Sequence, residues 1–186
     1  IDYVDAWGNA HKWDVRDGIR TRNADNQCCA QTYLARFEMT GDSAMMRNVK
    51  ANFDAMIADD DADFEGQRAK RQFWWWIDAI QMTMPALAHM TNITGDTKYK
   101  HEGKRLYEWI RNQEDGGMFN ESEGLWWRDR DFNAPYKEQD GNNCYWSRGN
   151  GWVLAALCRS LNFIGYECKF GKALLKDYMT MVPALV

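Results

Sequence analysis

The sequence predicts an all-α fold built from α/α hairpins that close into part of a toroid. Apolar residues recur at helical spacing in several long runs, which indicates helices with one buried face. Three of these runs share a layout, because each follows a charged residue and ends at a glycine 16 or 17 positions later: Asp25 and Gly41, Asp78 and Gly95, Arg148 and Gly165. A repeat of this size is typical of stacked helical hairpins.

The first part of the chain predicts one loop and two helices. Residues 1–24 contain two glycines and many charges, and we interpret them as a loop. Residues 26–39 fit a buried helix. A second helix is predicted over residues 43–58, where apolar side chains recur every three or four positions. Asp42 stands where its carboxylate can cap this second helix.

The second repeat has the same plan as the first. Residues 77–93 predict a buried helix that contains Pro85, and a proline there either bends the helix or lies in its first turns. Residues 97–112 predict its partner, with one apolar face. Asp96 can cap that partner helix as Asp42 caps the earlier one.

A long segment separates the second and third repeats. Residues 113–145 are rich in glycine and aromatic residues and lack helical periodicity. Within them, the pairs Met118-Phe119 and Trp126-Trp127 predict a short β-hairpin around residues 120–124. A loop of this length in a compact domain is more often functional than idle.

Two further helices complete the predicted fold. One covers residues 150–164, and another starts at residue 173 and continues to residue 186. The chain begins Ile-Asp-Tyr without an initiator methionine and ends inside an apolar pattern without a cap. We therefore expect a fragment: a single domain over residues 1–186 that is incomplete at both ends.

Composition excludes several classes of protein. The chain has 186 residues, 45% hydrophobic and 27% charged, as in globular proteins. Its net charge of -4 argues against general binding to nucleic acid or to an anionic membrane surface. No apolar run is long enough to span a bilayer. Ten tryptophans are unusual, and they suit either sugar stacking or a large core.

No metal or other cofactor is expected. The five cysteines show no zinc-ligand spacing, so we interpret them as reduced thiols. The acidic run over residues 59–65 alternates carboxylates as a calcium loop does. However, Phe64 stands where an EF-hand loop needs glycine, which favours a solvated acidic loop.

Asp25, Asp78 and Arg148 occupy matching places in the three repeats, so a closed ring would bring them to one rim. Two carboxylates in an aromatic pocket can divide into acid and base, since burial raises one pKa while a charge keeps the other group ionised. Such a pair serves glycoside cleavage. Alternatives stay open: Asp25 could be a helix cap, Arg148 could form a structural ion pair with either aspartate, and Trp76 and Trp152 could belong to the core.

Four segments stand out as motifs: NADNQ at 23–27, WWWIDAIQM at 74–82, LWWRD at 125–129 and WSRGNGW at 146–152. In this order they resemble the motifs of the unsaturated glucuronyl and rhamnogalacturonyl hydrolases, glycoside hydrolase families 88 and 105, with a leaning to family 105. The resemblance covers most of residues 20–165. Residues 166–172 fit the pattern poorly.

The resemblance implies a fold and a reaction. The fold is a ring of six helical hairpins, an (α/α)6 barrel, of which this chain has room for about half. The substrate is an oligosaccharide left by a polysaccharide lyase, with a 4,5-unsaturated uronate at its non-reducing end. The enzyme hydrates that double bond without a metal or other cofactor, and the product opens and releases the next sugar.

The resemblance also implies the site residues. Asp78 is the acid and then the base, and Asp25 is the second catalytic carboxylate. Arg148 binds the uronate carboxylate. The remaining substrate contacts come from four residues of the matching motifs: Trp76, Met82, Asn150 and Trp152.

Two other functions stay open from the sequence. One is a different (α/α)6 enzyme, such as an epimerase, although the three histidines are few for that chemistry. The other is a non-catalytic carbohydrate-binding protein. The expected partner is the unsaturated oligosaccharide, and the expected setting is the cytoplasm or periplasm of a bacterium. The sequence does not fix the oligomeric state.

Overall fold

The computed structural model describes residues 1–59, 74–112 and 117–185, which form eight helices and one two-stranded hairpin. The prediction of an all-α fold is therefore confirmed. In chain order the elements are α1 (Asp2–Ala10), α2 (Ala24–Gln27), α3 (Cys29–Thr40), α4 (Ala44–Ala58), α5 (Asp78–Thr94), α6 (Lys98–Arg111), β1 (Phe119–Asn120), β2 (Leu125–Trp126), α7 (Ser147–Ile164) and α8 (Lys169–Leu185).

The helices form two layers, as stacked hairpins require. Helices α3, α5 and α7 lie side by side, with α5 in the middle. Each packs against the helix that follows it in the chain, so α4, α6 and α8 form a second layer. The predicted repeat is thus a structural repeat, and the N-terminal ends of α5 and α7 carry Asp78 and Arg148.

Identical turns close the first two hairpins. Gly41 and Gly95 both take the left-handed conformation, with φ of 73° and 70°, that glycine adopts without strain. The aspartate that follows each glycine accepts the amide hydrogen of the second residue after it, at 2.9 Å in the first hairpin and 3.0 Å in the second. The predicted caps by Asp42 and Asp96 are confirmed.

The N-terminal segment differs from its predicted loop. Residues 2–10 form α1, which packs through Gly8 against the indole of Trp13, so closely that any side chain at Gly8 would collide with the ring. Asp5 of α1 accepts two hydrogen bonds from Arg36 of α3, at 2.8 and 2.7 Å. These contacts hold a helix whose own sequence pattern is too short to indicate it.

Three other helices begin at residues that differ from the predicted ones. The single helix predicted over residues 26–39 is two helices, α2 and α3, that are separated at Cys28, and α2 begins at Ala24, so Asp25 lies inside it. Helix α7 begins at Ser147 rather than at residue 150, and α8 begins at Lys169 rather than at residue 173. The acidic residues 60–65 and residues 113–116 lie outside the described part of the chain.

Pro85 lies in the middle of α5, not in its first turns. A proline has no N–H, so the carbonyl four residues earlier, that of Gln81, lacks its helical partner. The side chain of Gln31 donates to this carbonyl at 2.7 Å and also approaches the carbonyl of Met82 at 3.2 Å. Helix α3 therefore satisfies the backbone group that the proline leaves free in α5.

The predicted β-hairpin is confirmed. Phe119 pairs with Trp126 and Asn120 with Leu125 in antiparallel register. Trp126 is completely buried, and its ring stacks on that of Phe119 at 4.8 Å. The hairpin thus anchors the long segment between α6 and α7 in the core, where Trp127 and Asp129 are buried as well.

Candidate active site

Asp25 lies on α2, a single turn that begins after Asn23. The Asn23 side chain accepts the amide hydrogen of Asn26 at 3.3 Å, so Asn23 is the residue that caps this turn. Asp25 itself is exposed and is not the N-cap. The structural role that the sequence left open for Asp25 is therefore filled by a different residue.

A buried network of amides and a hydroxyl holds α2 in place, and we call it the amide network: Gln27, Asn52 and Thr83. All three side chains are fully buried. Gln27 donates to the Asn52 oxygen at 2.8 Å and accepts from the Thr83 hydroxyl at 3.0 Å. Asn52 donates in turn to the carbonyls of Ile19 and Thr21, at 2.9 and 3.0 Å. The network joins α2 to α4 and α5, so it positions Asp25 against the first turns of the helix that begins at Asp78.

Asp78 is the first residue of α5 and is half-buried. Burial and, as the next largest cause, the negative charge of Asp25 raise the pKa of its carboxyl to about 6. Backbone N–H groups at the start of the helix and the charge of Arg148 act in the opposite direction on the same pKa. Asp25 and Arg148 are therefore both close enough to Asp78 to affect its protonation, and Asp78 can hold or release a proton near neutral pH.

Arg148 lies in the first turn of α7, where the sequence Arg-Gly-Asn-Gly-Trp begins. Gly149 faces inward, and a side chain there would collide with the indole of Trp146 and come within 3.0 Å of Ile77. Residue 149 must be glycine chiefly because the Trp146 indole packs directly against the backbone of α7 at this position. Gly151 is exposed, with open space where a side chain would be.

Aromatic rings and guanidinium groups alternate beside Asp78, and we call this set the aromatic–arginine cluster: Trp76, Arg128, Phe132, Trp146, Arg148 and Trp152. Trp146 packs edge-on against Trp76 and Trp152, with ring centroids 6.0 and 5.4 Å away. The Arg148 guanidinium lies 4.9 Å from the Trp146 ring and 5.3 Å from the Trp152 ring. Among the residues that the structure describes, Arg148 is therefore held by aromatic contacts rather than by an ion pair.

The cluster lines an open depression of about 340 Å³. Trp76 and Arg148 border it, together with Arg128 and Trp146. Trp76 is 40% exposed, which is high for a tryptophan and leaves one ring face available. A flat exposed ring beside a guanidinium suits a sugar ring that carries a carboxylate.

Two residues that were predicted to contact the substrate, Asn150 and Met82, do not border this depression. Asn150 is completely buried, and its amide bonds to the backbone N–H and carbonyl of Trp126, both at 2.8 Å. It therefore holds β2 against α7 and offers no free group to a ligand. Met82 is half-buried and packs against the core, one turn into α5.

The structure also places two residues that the sequence did not single out. Trp146 is the centre of the cluster, and Arg128 stacks between Trp76 and Phe132. Both stand in segments that carried the family resemblance, so the motifs themselves were the available signal. Their individual positions in a stacked cluster could not be read from spacing, because residues 129–145 separate them along the chain.

Asp25 borders a second depression, of about 510 Å³, between α1 and α3. Trp7, His11 and Tyr33 lie along it. Across residues 1–59, 74–112 and 117–185, we find no group of three or more His, Cys, Asp or Glu side chains placed to hold a metal ion. The helices of those same ranges include none that is long and apolar enough to cross a membrane.

Comparisons with known proteins agree on one family. The family model described as Glycosyl Hydrolase Family 88 matches residues 1–186. An unsaturated 3S-rhamnoglycuronyl hydrolase of Alteromonas sp. (strain LOR) is 33% identical over 152 residues, which is 74% of this chain and 35% of that protein. A protein of the same name from Formosa agariphila is 32% identical over 124 residues, 62% of this chain and 32% of its own length.

Solved structures share the fold. A glycosyl hydrolase family 88 structure from Bacteroides vulgatus has a TM-score of 0.83 at 23% identity, with 98% of this chain and 53% of that chain covered. A structure from Klebsiella pneumoniae, described as a possible member of family GH105, has a TM-score of 0.72 at 19% identity, with coverages of 99% and 48%. The chain thus spans about a third of the curated relatives' length and about half of these structures.

Proposed function

The chain belongs to glycosyl hydrolase family 88, and on that premise we propose that the complete protein removes a 4,5-unsaturated uronic acid from the non-reducing end of oligosaccharides. Two relatives at 33% and 32% identity carry the name unsaturated 3S-rhamnoglycuronyl hydrolase. We propose an unsaturated rhamnoglycuronyl oligosaccharide as the substrate class for this protein as well.

The proposed reaction is hydration of a vinyl ether. The Asp78 carboxyl donates its proton to C4 of the uronate, and the positive charge that develops is shared by C5 and the ring oxygen. A water molecule attacks C5, and the Asp78 carboxylate takes up one of its protons. The resulting hemiketal opens, the bond to the next sugar breaks, and that sugar leaves with a proton.

The other site residues bind and orient in this proposal. Asp25 holds the attacking water or the ring hydroxyls, and its charge keeps a proton on Asp78. Arg148 binds the uronate carboxylate through charge-assisted hydrogen bonds. Trp76 offers its exposed face to the sugar ring, and Trp152 supports the Arg148 guanidinium from the other side.

One observation carries the proposal: the Asp78 carboxyl is half-buried, with a pKa raised to about 6, between a carboxylate and a guanidinium from the neighbouring repeats. A single group that must first give and then retake a proton works best when its pKa is near the working pH. Burial and the charge of Asp25 raise the pKa, and Arg148 lowers it to a smaller extent.

The test is to incubate the complete natural protein with disaccharides produced by a polysaccharide lyase. Consumption of the conjugated double bond removes its ultraviolet absorbance, and chromatography detects the released sugar. We expect both signals to change together. Binding without loss of absorbance would support a carbohydrate-binding protein instead.

A further inference from the structure

Arg128 borders the same depression as Arg148 but is held in a different way. Its guanidinium lies 4.6 Å from the Trp76 ring and 4.2 Å from the Phe132 ring, so it is stacked between two aromatic side chains. Its backbone carbonyl accepts the amide hydrogen of Ile77 at 3.0 Å. Arg128 is thereby fixed directly beside the residue that precedes Asp78.

A buried carboxylate occupies one edge of this guanidinium. Arg128 Nε donates to Asp129 Oδ2 at 2.7 Å, and Asp129 is completely buried. The other Asp129 oxygen accepts the amide hydrogen of Asp131 at 2.9 Å. The Arg128 side chain keeps 34% of its surface exposed, and within the described part of the chain its two terminal nitrogens donate no hydrogen bond. Arg128 lines the depression, and its four terminal N–H donors, in one plane, are not used by any described residue.

The two arginines differ in whether a neighbouring carboxylate compensates their charge. Asp129 already compensates the charge of Arg128, whereas no carboxylate lies within ion-pair distance of Arg148 among the described residues. A substrate carboxylate is attracted most strongly to the uncompensated cation. The Arg128–Asp129 pair has no net charge, so it presents hydrogen-bond donors without attracting a second anion.

We propose that Arg128 is a specificity-determining residue that donates hydrogen bonds to a ring hydroxyl of the unsaturated uronate, while Arg148 alone binds the carboxylate. This inference rests on the proposed function, since it assigns the contacts of the same substrate. With this assignment, the depression selects the sugar by two separate features: Arg148 recognises its charge, and Arg128 recognises its hydroxyl pattern.

The experiment compares three single variants of the complete protein: Arg128→Met, Arg148→Met and Arg20→Met. Methionine keeps an apolar stem between Trp76 and Phe132 but removes every N–H. Arg20 is an exposed arginine outside the depression and serves as the matched control. The substrates are the unsaturated disaccharide, its uronamide, and analogues that lack the C2 or the C3 hydroxyl of the uronate.

We expect Arg128→Met to raise KM for the parent disaccharide about 10-fold, the effect of one or two lost hydrogen bonds from a charged donor, with kcat nearly unchanged. With the deoxy analogue that lacks the hydroxyl bound by Arg128, Arg128→Met and the wild type should have the same KM. The preference for carboxylate over amide should stay as in the wild type. Arg148→Met should abolish that preference, and Arg20→Met should behave as the wild type.

Three results would overturn the assignment: an Arg128→Met effect that is equal on all analogues, a change in its carboxylate-to-amide ratio, or no effect. If the wild-type protein turns over none of these compounds, calorimetric binding of the same set to the same variants reports the same discrimination. Hydroxyl-dependent binding through Arg128 without turnover would contradict the proposed reaction and leave this inference standing.

Discussion

The residues on the two sides of Asp78 differ in charge, in burial and in the contacts that hold them. On the Asp25 side, the amide network of Gln27, Asn52 and Thr83 is uncharged, fully buried and satisfied by hydrogen bonds. On the Arg148 side, the aromatic–arginine cluster is charged, partly exposed and held mainly by stacking. On the first side, the amide network uses its donors within the protein and only the exposed Asp25 carboxylate can meet a ligand, whereas the second side has guanidinium N–H groups and an exposed indole.

This difference separates residues that support the site from residues that meet the substrate. Removing a buried hydrogen-bonded group leaves its partners unsatisfied, which costs free energy of folding. Removing the exposed Arg148, which has no ion-pair partner among the described residues, leaves few unsatisfied groups and instead removes contacts to a ligand. We therefore expect the amide network to control stability and the aromatic–arginine cluster to control binding, with Asp78 controlling the chemical step.

The largest effect on activity is expected at Asp78, which lies between the two sides. In Asp78→Asn, kcat should fall by about 10²- to 10⁴-fold, because an amide cannot donate and retake the proton. Thermal unfolding should be nearly unchanged. The matched control is Asp96→Ala, which removes the hydrogen bond that caps the start of α6, in the turn that follows α5. It should lose about 1 kcal/mol of stability and keep full activity.

Replacing Gln27 by Leu tests the supporting side. The Asn52 oxygen and the Thr83 hydroxyl would both lose their buried partner, at about 1–3 kcal/mol each. Denaturant unfolding should show this loss, while KM of the remaining folded protein changes little. An unchanged unfolding midpoint together with a raised KM would place Gln27 in the binding site and break the distinction between the two sides.

Replacing Arg148 by Met tests the binding side. The loss of charge-assisted hydrogen bonds to the carboxylate should raise KM by about 10- to 100-fold, at 1.5–3 kcal/mol of interaction free energy. The unfolding midpoint should stay within the range of surface substitutions. A large drop in stability with unchanged KM would instead identify Arg148 as a structural residue of α7.

The smallest effect is expected in the pH dependence, and the two sides should act with opposite signs. The reaction needs the protonated form of Asp78, so kcat/KM should fall as pH rises through the pKa of about 6. Asp25→Asn removes the negative charge that raises this pKa, so the fall should occur at lower pH. Arg148→Met removes the positive charge that lowers the pKa, so the fall should occur at higher pH. Shifts in the same direction would contradict this electrostatic account of the site.

The sequence predicted most of the fold because the repeat combines independent signals. The Thr-Gly-Asp turns place a glycine, a cap and two apolar runs in fixed order, and both capping aspartates act as predicted. Helix α1 was missed because its stability depends on packing against Trp13 and on the Asp5–Arg36 pair, and that pair joins distant parts of the chain.

The site was predicted in part for the same reason. Asp78 and Arg148 were identified because repeat position and motif agree, and the mutual effect of the charges on the pKa of Asp78 is consistent with a common rim. Asn150 was assigned to the substrate because it stands in the same motif as Arg148, yet its side chain faces inward and bonds to Trp126. Motif membership alone does not indicate which side of a helix a residue occupies. Arg128 was missed because its stacking partners come from segments far apart in sequence.

The most direct test of the central claim compares one unsaturated disaccharide with its saturated counterpart, under the same conditions and with the wild-type protein. Protonation of C4 by Asp78 requires the double bond, so we predict turnover of the unsaturated compound and none of the saturated one. Asp78→Asn should turn over neither compound. Comparable turnover of both by the wild type, or full activity of Asp78→Asn on the unsaturated compound, would contradict hydration by Asp78.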